Sequence, residues 1–242
     1  MLRAFFVGLL WVPLIGHAQT GHDLKPAREA TITGLGITFN GIGYLQERQH
    51  LTAPPSIITL WKVPPIDRIA TRQWSMNAHR TSNVLFGIAV GASLATAVVN
   101  QHGERPLVPV VIIAETGLLT AGITNTVKEL VRRPRPYLYN PDVPTSAYDP
   151  QNDQVSFWSG HTANTAAITF ACASLVQRSD ASTGLKTATW IGAATAPAVM
   201  GYLRVRSGRH FPTDVLTGYL FGTAMGVLVP YFHRSDKGKK KG

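Results

Sequence analysis

Near its C-terminal end the chain reads Arg204-Val-Arg-Ser-Gly-Arg-His210-Phe-Pro-Thr-Asp214, with an arginine ahead of a histidine and an aspartate one helical turn after it. Pro212 suits the first position of a helix, where its missing N–H has no helical partner to lose. Asp214 then falls in the first turn, where the helix dipole favours a carboxylate. From there it would reach back to one ring nitrogen of His210, fix the tautomer and leave the other nitrogen free to attack. Arg204 would hold an oxyanion alongside, because a guanidinium forks onto phosphate oxygens. A basic loop leading into a capped helix would read the same way, so this stretch does not decide the matter alone.

Two further stretches add to it. Lys128-Glu-Leu-Val-Arg-Arg-Pro-Arg135-Pro136 sets a lysine before an Arg-Pro, and Ser156-Phe-Trp-Ser159-Gly160-His161-Thr162 sets a Ser-Gly-His at an expected helix start. In this order the three stretches resemble the signature of the type 2 phosphatidic acid phosphatase (PAP2) superfamily: Lys-x6-Arg-Pro, Pro-Ser-Gly-His, and Ser-Arg-x5-His-x3-Asp. Lys128, Arg135, Ser159, Gly160, His161, Arg204, His210 and Asp214 fall on its functional positions. Trp158 stands where the family usually has Pro, and Leu203 where it has Ser. Neither departure removes a charged or nucleophilic group; what they put in doubt is loop shape.

The resemblance implies hydrolysis of a phosphomonoester or diphosphate through a phosphohistidine. His210 would attack phosphorus while His161 protonates the leaving oxygen, and His161 would then serve as base for water. Lys128, Arg135 and Arg204 would offset the charge on the equatorial oxygens, with the Ser159 hydroxyl and Gly160 amide beside them. Arg132 shares a helical face with Lys128, so spacing alone does not choose between it and Arg135; the resemblance favours Arg135. There is no His-Glu-x-x-His and no carboxylate cluster, so neither metal nor other cofactor is expected. The substrate class is a lipid phosphate or diphosphate: a polyprenyl diphosphate, a lipid A-type glycolipid, phosphatidylglycerol phosphate or phosphatidic acid. The alternatives are a secreted soluble acid phosphatase of the same superfamily and, with less support, a vanadate-dependent haloperoxidase.

These residues need elements to hold them. The chain has 242 residues, 45% hydrophobic but only 15% charged, with a net charge of +10. That balance suits anionic substrates and membrane lipids as partners. No recognised nucleic-acid motif accompanies the charge. The single cysteine, Cys172, reads as a small core residue. Residues 1–18 have the basic start, apolar centre and small-residue end of a secretory signal, with an uncleaved anchor as the alternative. Residues 19–83 read as an N-terminal extension. Within it, residues 31–45 are too short an apolar run to span, and residues 66–77 form an amphipathic surface helix or one packed on the bundle.

Five apolar segments follow, at Val84–Val99, Leu107–Val127, Asn164–Val176, Thr187–Leu203 and Thr213–Phe232. The expected fold is therefore an all-α helical bundle of about five transmembrane helices, the core being residues 84–233 and residues 234–242 a basic cytoplasmic tail. With the tail inside, counting spans backwards places all three motifs and residues 19–83 outside. That is an inner-membrane protein with a periplasm-facing site; a soluble periplasmic protein is the alternative. Glu115, inside an apolar segment, is expected to be hydrogen-bonded in the interior, and His50, His79, His102 and His233 to lie at the surface or interface. The loop of residues 136–155 either caps the mouth or merely joins two helices. The extra arginines Arg132, Arg133, Arg206 and Arg209 suit a multiply charged head group or contact lipid.

Overall fold

The computed structural model describes residues 21–50, 63–100 and 106–235. The signal-like stretch 1–18, residues 101–105 with His102, and the Lys-rich tail lie outside the described residues. So does the side chain of His50. The fold is all-α, as expected: α1 (Pro26–His50), a 3-10 turn (Pro65–Arg72), α2 (Met76–Val99), α3 (Leu107–Val131), α4 (Gly160–Gln177), α5 (Thr183–Arg206) and α6 (Pro212–Phe232). The five apolar segments all appear as helices, α2 to α6. Each runs beyond its apolar run because polar end turns coil as well. α2, for instance, starts at Met76 because the Ser75 side chain caps it through the amide of Ala78.

α4 is the central helix. It packs on α2, α3, α5 and α6, and most of its Ala- and Thr-rich surface is buried. Close approach is what its small residues permit. Gly222 of α6 lies so near the backbone of Ala163 that a Cβ there would collide with its carbonyl oxygen. Gly218 and Gly226, one turn to either side, meet the Ser159 and Ala167 carbonyls in the same way. This is the small-residue packing by which helices associate in lipid.

The N-terminal region departs from expectation. Residues 31–45 are part of a 25-residue helix, and that helix runs lengthwise along α3. Thr33 bonds Glu115, Asn40 bonds the Leu118 carbonyl and Thr126 bonds the Phe39 carbonyl, so α1 and α3 run parallel. At 1.5 Å per residue α1 is about 37 Å long, enough to cross a hydrocarbon core. Residues 21–23 consequently lie at the end away from the three motifs: the Gly21 carbonyl accepts from Arg178, and His22 pairs with Arg234. The placement of all of residues 19–83 on the motif side is thus corrected. Hydropathy under-read α1 because its polar groups, Thr33 and Asn40, are bonded into α3. The expected helix over 66–77 is also replaced. A 3-10 turn ends at Arg72, residues 73–75 are extended, and α2 then begins.

Among the described residues three helices are long and apolar enough to cross a membrane, one of them α2, one α6 and one beginning with α3. Leu35, Ile37 and Leu45 of α1, Val84 and Ile88 of α2, Ile191 and Val199 of α5, and Leu216 and Leu220 of α6 are all exposed. So much apolar side chain facing outward on four helices is what a lipid-surrounded bundle presents.

Candidate active site

α2, α4 and α6 run away from one end of the bundle and α3 and α5 run towards it, so their motif-bearing ends meet there. Lys128 sits in the last turn of α3, which stops at Val131. Arg132 then takes a left-handed conformation (φ 48°), and the chain turns through Pro134 so that Arg135 points back inward. The Ser159 hydroxyl caps α4 and places His161 in its first turn. Arg204 closes α5, and a turn at Gly208 (φ 70°) returns the chain to His210. Any side chain at 208 would strike the Gln73 carbonyl, so both the left-handed backbone and the close contact require glycine. Pro212 opens α6, as its sequence position predicts.

These turns bring Lys128, Arg135, His161, Arg204 and His210 onto one cavity of about 840 Å³, together with Gly160, His79, Arg209 and residues of α1. Lys128, Arg135, Arg204 and Arg209 give it four cationic groups, against the carboxylates of Glu47, Glu129 and Asp149. The Lys128 ammonium donates to the Val155 carbonyl at 2.6 Å, and Arg135 donates to the carbonyls of Asn152 (2.5 Å) and Arg209 (3.3 Å). Arg204 Nη1 donates to the Ser82 hydroxyl at 3.0 Å and lies 3.0 Å from His79 Nδ1. The buried Nε atoms of Arg204 and Arg209 have no partner among the described residues, which leaves N–H donors for an anion.

His210 is fully buried and its Nδ1 donates to the Ser156 carbonyl at 2.7 Å. Nε2 makes no hydrogen bond among the described residues and is left for the cavity. Burial, then the charges of Lys128, Arg135 and Arg204, push its pKa well below the usual imidazole range, so the ring is a neutral base. Asp214 does not orient it in the expected way. The Asp214 carboxylate is 3.8 Å from Nδ1, too far for a hydrogen bond, and the Ser156 carbonyl takes that place. Asp214 instead accepts from the Ser156 hydroxyl (2.6 Å), the Phe211 amide (2.9 Å) and Arg133 (2.6 Å). Its hydrogen-bonded route to His210 runs through Ser156.

Other residues also fall differently from their sequence reading. The Ser159 hydroxyl is spent on Thr162 and does not line the cavity. Of the four extra arginines only Arg209 reaches the cavity, its guanidinium 5.0 Å from the Tyr137 ring. Arg132 pairs with Glu129, Arg206 with Gln73, and Arg133 with Asp67 and Asp214. His79, expected at the surface or interface, lines the cavity, and Asn83 one turn along α2 accepts from His161 Nε2 at 2.9 Å. His233, also expected there, is fully buried at the far end, where Nε2 meets Glu29 (2.7 Å) and Glu115 (3.1 Å). Glu115 has the hydrogen-bonded interior role expected of it. Asn83, His79 and Asp67 escaped the sequence reading because no spacing ties them to the motifs, and Ser156, three residues before Ser159, because it acts through its backbone carbonyl. Only a polar stripe at the start of α2 hinted at contact with the site.

Comparison with known proteins adds three findings. A family model described as "PAP2 superfamily" matches residues 109–237, more than half of the chain. No curated protein matches. Among solved structures, the chain is similar to the crystal structure of a transmembrane PAP2-type phosphatidylglycerolphosphate phosphatase from Bacillus subtilis. The TM-score is 0.49 and the sequence identity 20%, over 90% of this chain and 98% of that one.

Proposed function

This chain belongs to the PAP2 superfamily, and we propose that it is a membrane phosphatase hydrolysing a lipid phosphate or diphosphate through a phosphohistidine on His210. One observation carries the reading: six motif residues, drawn from three helices and two loops and three of them cationic, converge on one cavity. In the first step His210 Nε2 forms a bond to phosphorus while the bond to the leaving oxygen breaks. The leaving oxygen takes its electron pair and a proton from Nδ1 of His161, which enters the step doubly protonated and keeps Nε2–H on Asn83. Nδ1–H, held on the Ser156 carbonyl, stabilises the charged ring that results. Water then attacks phosphorus, His161 takes its proton, and the bond to Nε2 breaks. Lys128, Arg135 and Arg204, joined by Arg209, face the equatorial oxygens, where most of the catalysis of phosphoryl transfer lies.

The exposed apolar faces of α1, α2, α5 and α6 favour a membrane enzyme over the soluble acid phosphatase. The Lys-rich tail favours a cytoplasmic C-terminus, which puts the cavity on the outer side. On that orientation residues 21–23 share the tail's side. Single cysteines at Ser146 and Ser235, in a Cys172→Ala background, test this with an impermeant thiol reagent on intact spheroplasts. Labelling at 146 alone is expected, and labelling at 235 alone would reverse the orientation. The decisive experiment is phosphate release by the purified protein from lipid diphosphates, lipid monophosphates and soluble esters. Release from a lipid substrate, inhibited by vanadate, is expected; no release from any of them would sink the proposal.

A further inference from the structure

Asp67 belongs to the 3-10 turn Pro65–Arg72, ahead of the region that the family model matches. It is fully buried, and it accepts three hydrogen bonds from elements far away in sequence. Two come from Thr213, through its amide (3.0 Å) and hydroxyl (2.7 Å), and one from Arg133 Nη2 (2.7 Å). The Thr213 amide is one of the free N–H groups at the start of α6, and the preceding residue in the cap position, Phe211, has no side-chain acceptor. Asp67 therefore supplies the carboxylate that caps α6, from 146 residues away.

Arg133 completes the arrangement. Its Nη2 holds Asp67, and its Nη1 holds Asp214 (2.6 Å) and the Thr213 hydroxyl (2.9 Å). Its guanidinium lies 3.9 Å over the Phe211 ring, and its backbone carbonyl accepts from the Ser156 amide at 3.0 Å. Both routes lead to the same ring. One runs from Arg133 through Asp214 to the Ser156 hydroxyl, the other from the Arg133 carbonyl to the Ser156 amide. The Ser156 carbonyl then holds His210 Nδ1. One cation bridging two buried carboxylates gives a fixed geometry, because neither carboxylate can leave without stranding a charge.

We propose that Asp67 and Arg133 are positioning residues for His210: the buried Asp67–Arg133–Asp214 clamp fixes Ser156, and Ser156 aims the imidazole so that Nε2 faces the cavity. The inference rests on His210 as the nucleophile. It makes the turn Pro65–Arg72 part of the working site.

The test compares Asp67→Asn, Arg133→Gln, the double variant and the milder Thr213→Val in detergent-purified protein. Both single variants of the clamp should lower kcat about 10–100-fold with KM changed less than about threefold, since neither residue lines the cavity. The double variant should fall no further than the worse single one, because both act through the same carboxylate. Thr213→Val, which removes one hydroxyl shared by Asp67 and Arg133, should lower kcat about 3–10-fold and covers the case in which the charge variants fail to fold. A second readout does not depend on turnover. Diethyl pyrocarbonate modifies unprotonated imidazole, and mass spectrometry gives the separate rates at His210, His161 and His79. The His210 rate should change at least threefold in the variants, with the His161 and His79 rates unchanged. If the protein releases no phosphate, the function is wrong, and these modification rates still decide the positioning. Unaltered kcat, or an unaltered His210 rate in variants that have only lost thermal stability, would reduce the clamp to a structural brace and overturn the proposal.

Discussion

Two buried histidines, at opposite ends of the bundle, share one arrangement and differ in everything that follows from it. His210 and His233 each donate Nδ1–H to a backbone carbonyl at 2.7 Å, Ser156 in one case and Val229 in the other. At the cavity end Nε2 of His210 faces Lys128, Arg135 and Arg204, and burial with those charges holds the ring neutral. At the far end Nε2 of His233 faces Glu29 and Glu115. Burial alone would lower its pKa, but the two carboxylates outweigh it and the value is pushed up to about 9. A neutral imidazole with a free lone pair is a nucleophile, and a charged one with both N–H groups bonded is a brace. The ring and its anchoring bond are common to both; the charge around Nε2 decides between them.

The largest effect that should separate the two ends comes from removing the rings. His210→Ala should abolish turnover, while His233→Ala should keep kcat within a few-fold. The latter should instead lose stability, on the order of 3 kcal/mol, because a buried carboxylate, Glu115, and a half-buried one, Glu29, are left facing each other. Chemical denaturation and steady-state kinetics on both variants check this, and near-normal turnover by the His210 variant would end the phosphohistidine mechanism. His161→Ala should lose less than the nucleophile variant does, by about 10²–10⁴-fold. It should still form a phosphoenzyme from a substrate with a good leaving group, detectable by acid-labile label at His210.

The pH responses should also diverge. His210 has its folded pKa depressed, so the neutral ring that the proposed mechanism needs persists below pH 6.5. The acid limb of kcat/KM that belongs to it should lie below that value. His233 has its folded pKa raised above the usual 6.5, so its stabilising charge is fully present below pH 6.5 and is lost as pH rises through about 9. Melting temperature should therefore fall by several degrees between pH 6.5 and 10 in the wild type, and the component due to this group should vanish in His233→Gln. The smallest expected effect is that of a chelator, which should change neither turnover nor melting temperature. A fall in melting temperature restored by a divalent ion would turn the Glu29–Glu115–His233 group from a brace into a metal site. Loss of turnover restored in the same way would point to another enzyme class.

Most of the motif residues that line the cavity were legible in the sequence, and their supports were not. Lys128, Arg135, His161, Arg204 and His210 could be picked out because three stretches together resemble a family signature, each lying at a local feature: a helix end before Pro134, a helix start at Ser159, a proline at position 212. Features of that kind are set by neighbouring residues, so they survive without knowledge of the fold. The helical segments from Val84 onward were legible for a related reason. Apolar length is a property of a short window, and a bundle in lipid has little else to satisfy.

What only the tertiary structure decided depends on residues brought together from far apart. α1 reads as too short and too polar to cross because its Thr33 and Asn40 find their partners on α3. The Asp214 carboxylate was in the right turn to reach His210, yet Ser156, from another loop, outcompetes it at Nδ1 by more than 1 Å. Asp67, His79 and Asn83 carry no local mark of their roles. The same holds for the contrast between His210 and His233. Sequence fixes where each imidazole stands along the chain, but the charges that set its protonation arrive from other helices. Electrostatic energy depends on distance in space, and a sequence does not contain that distance.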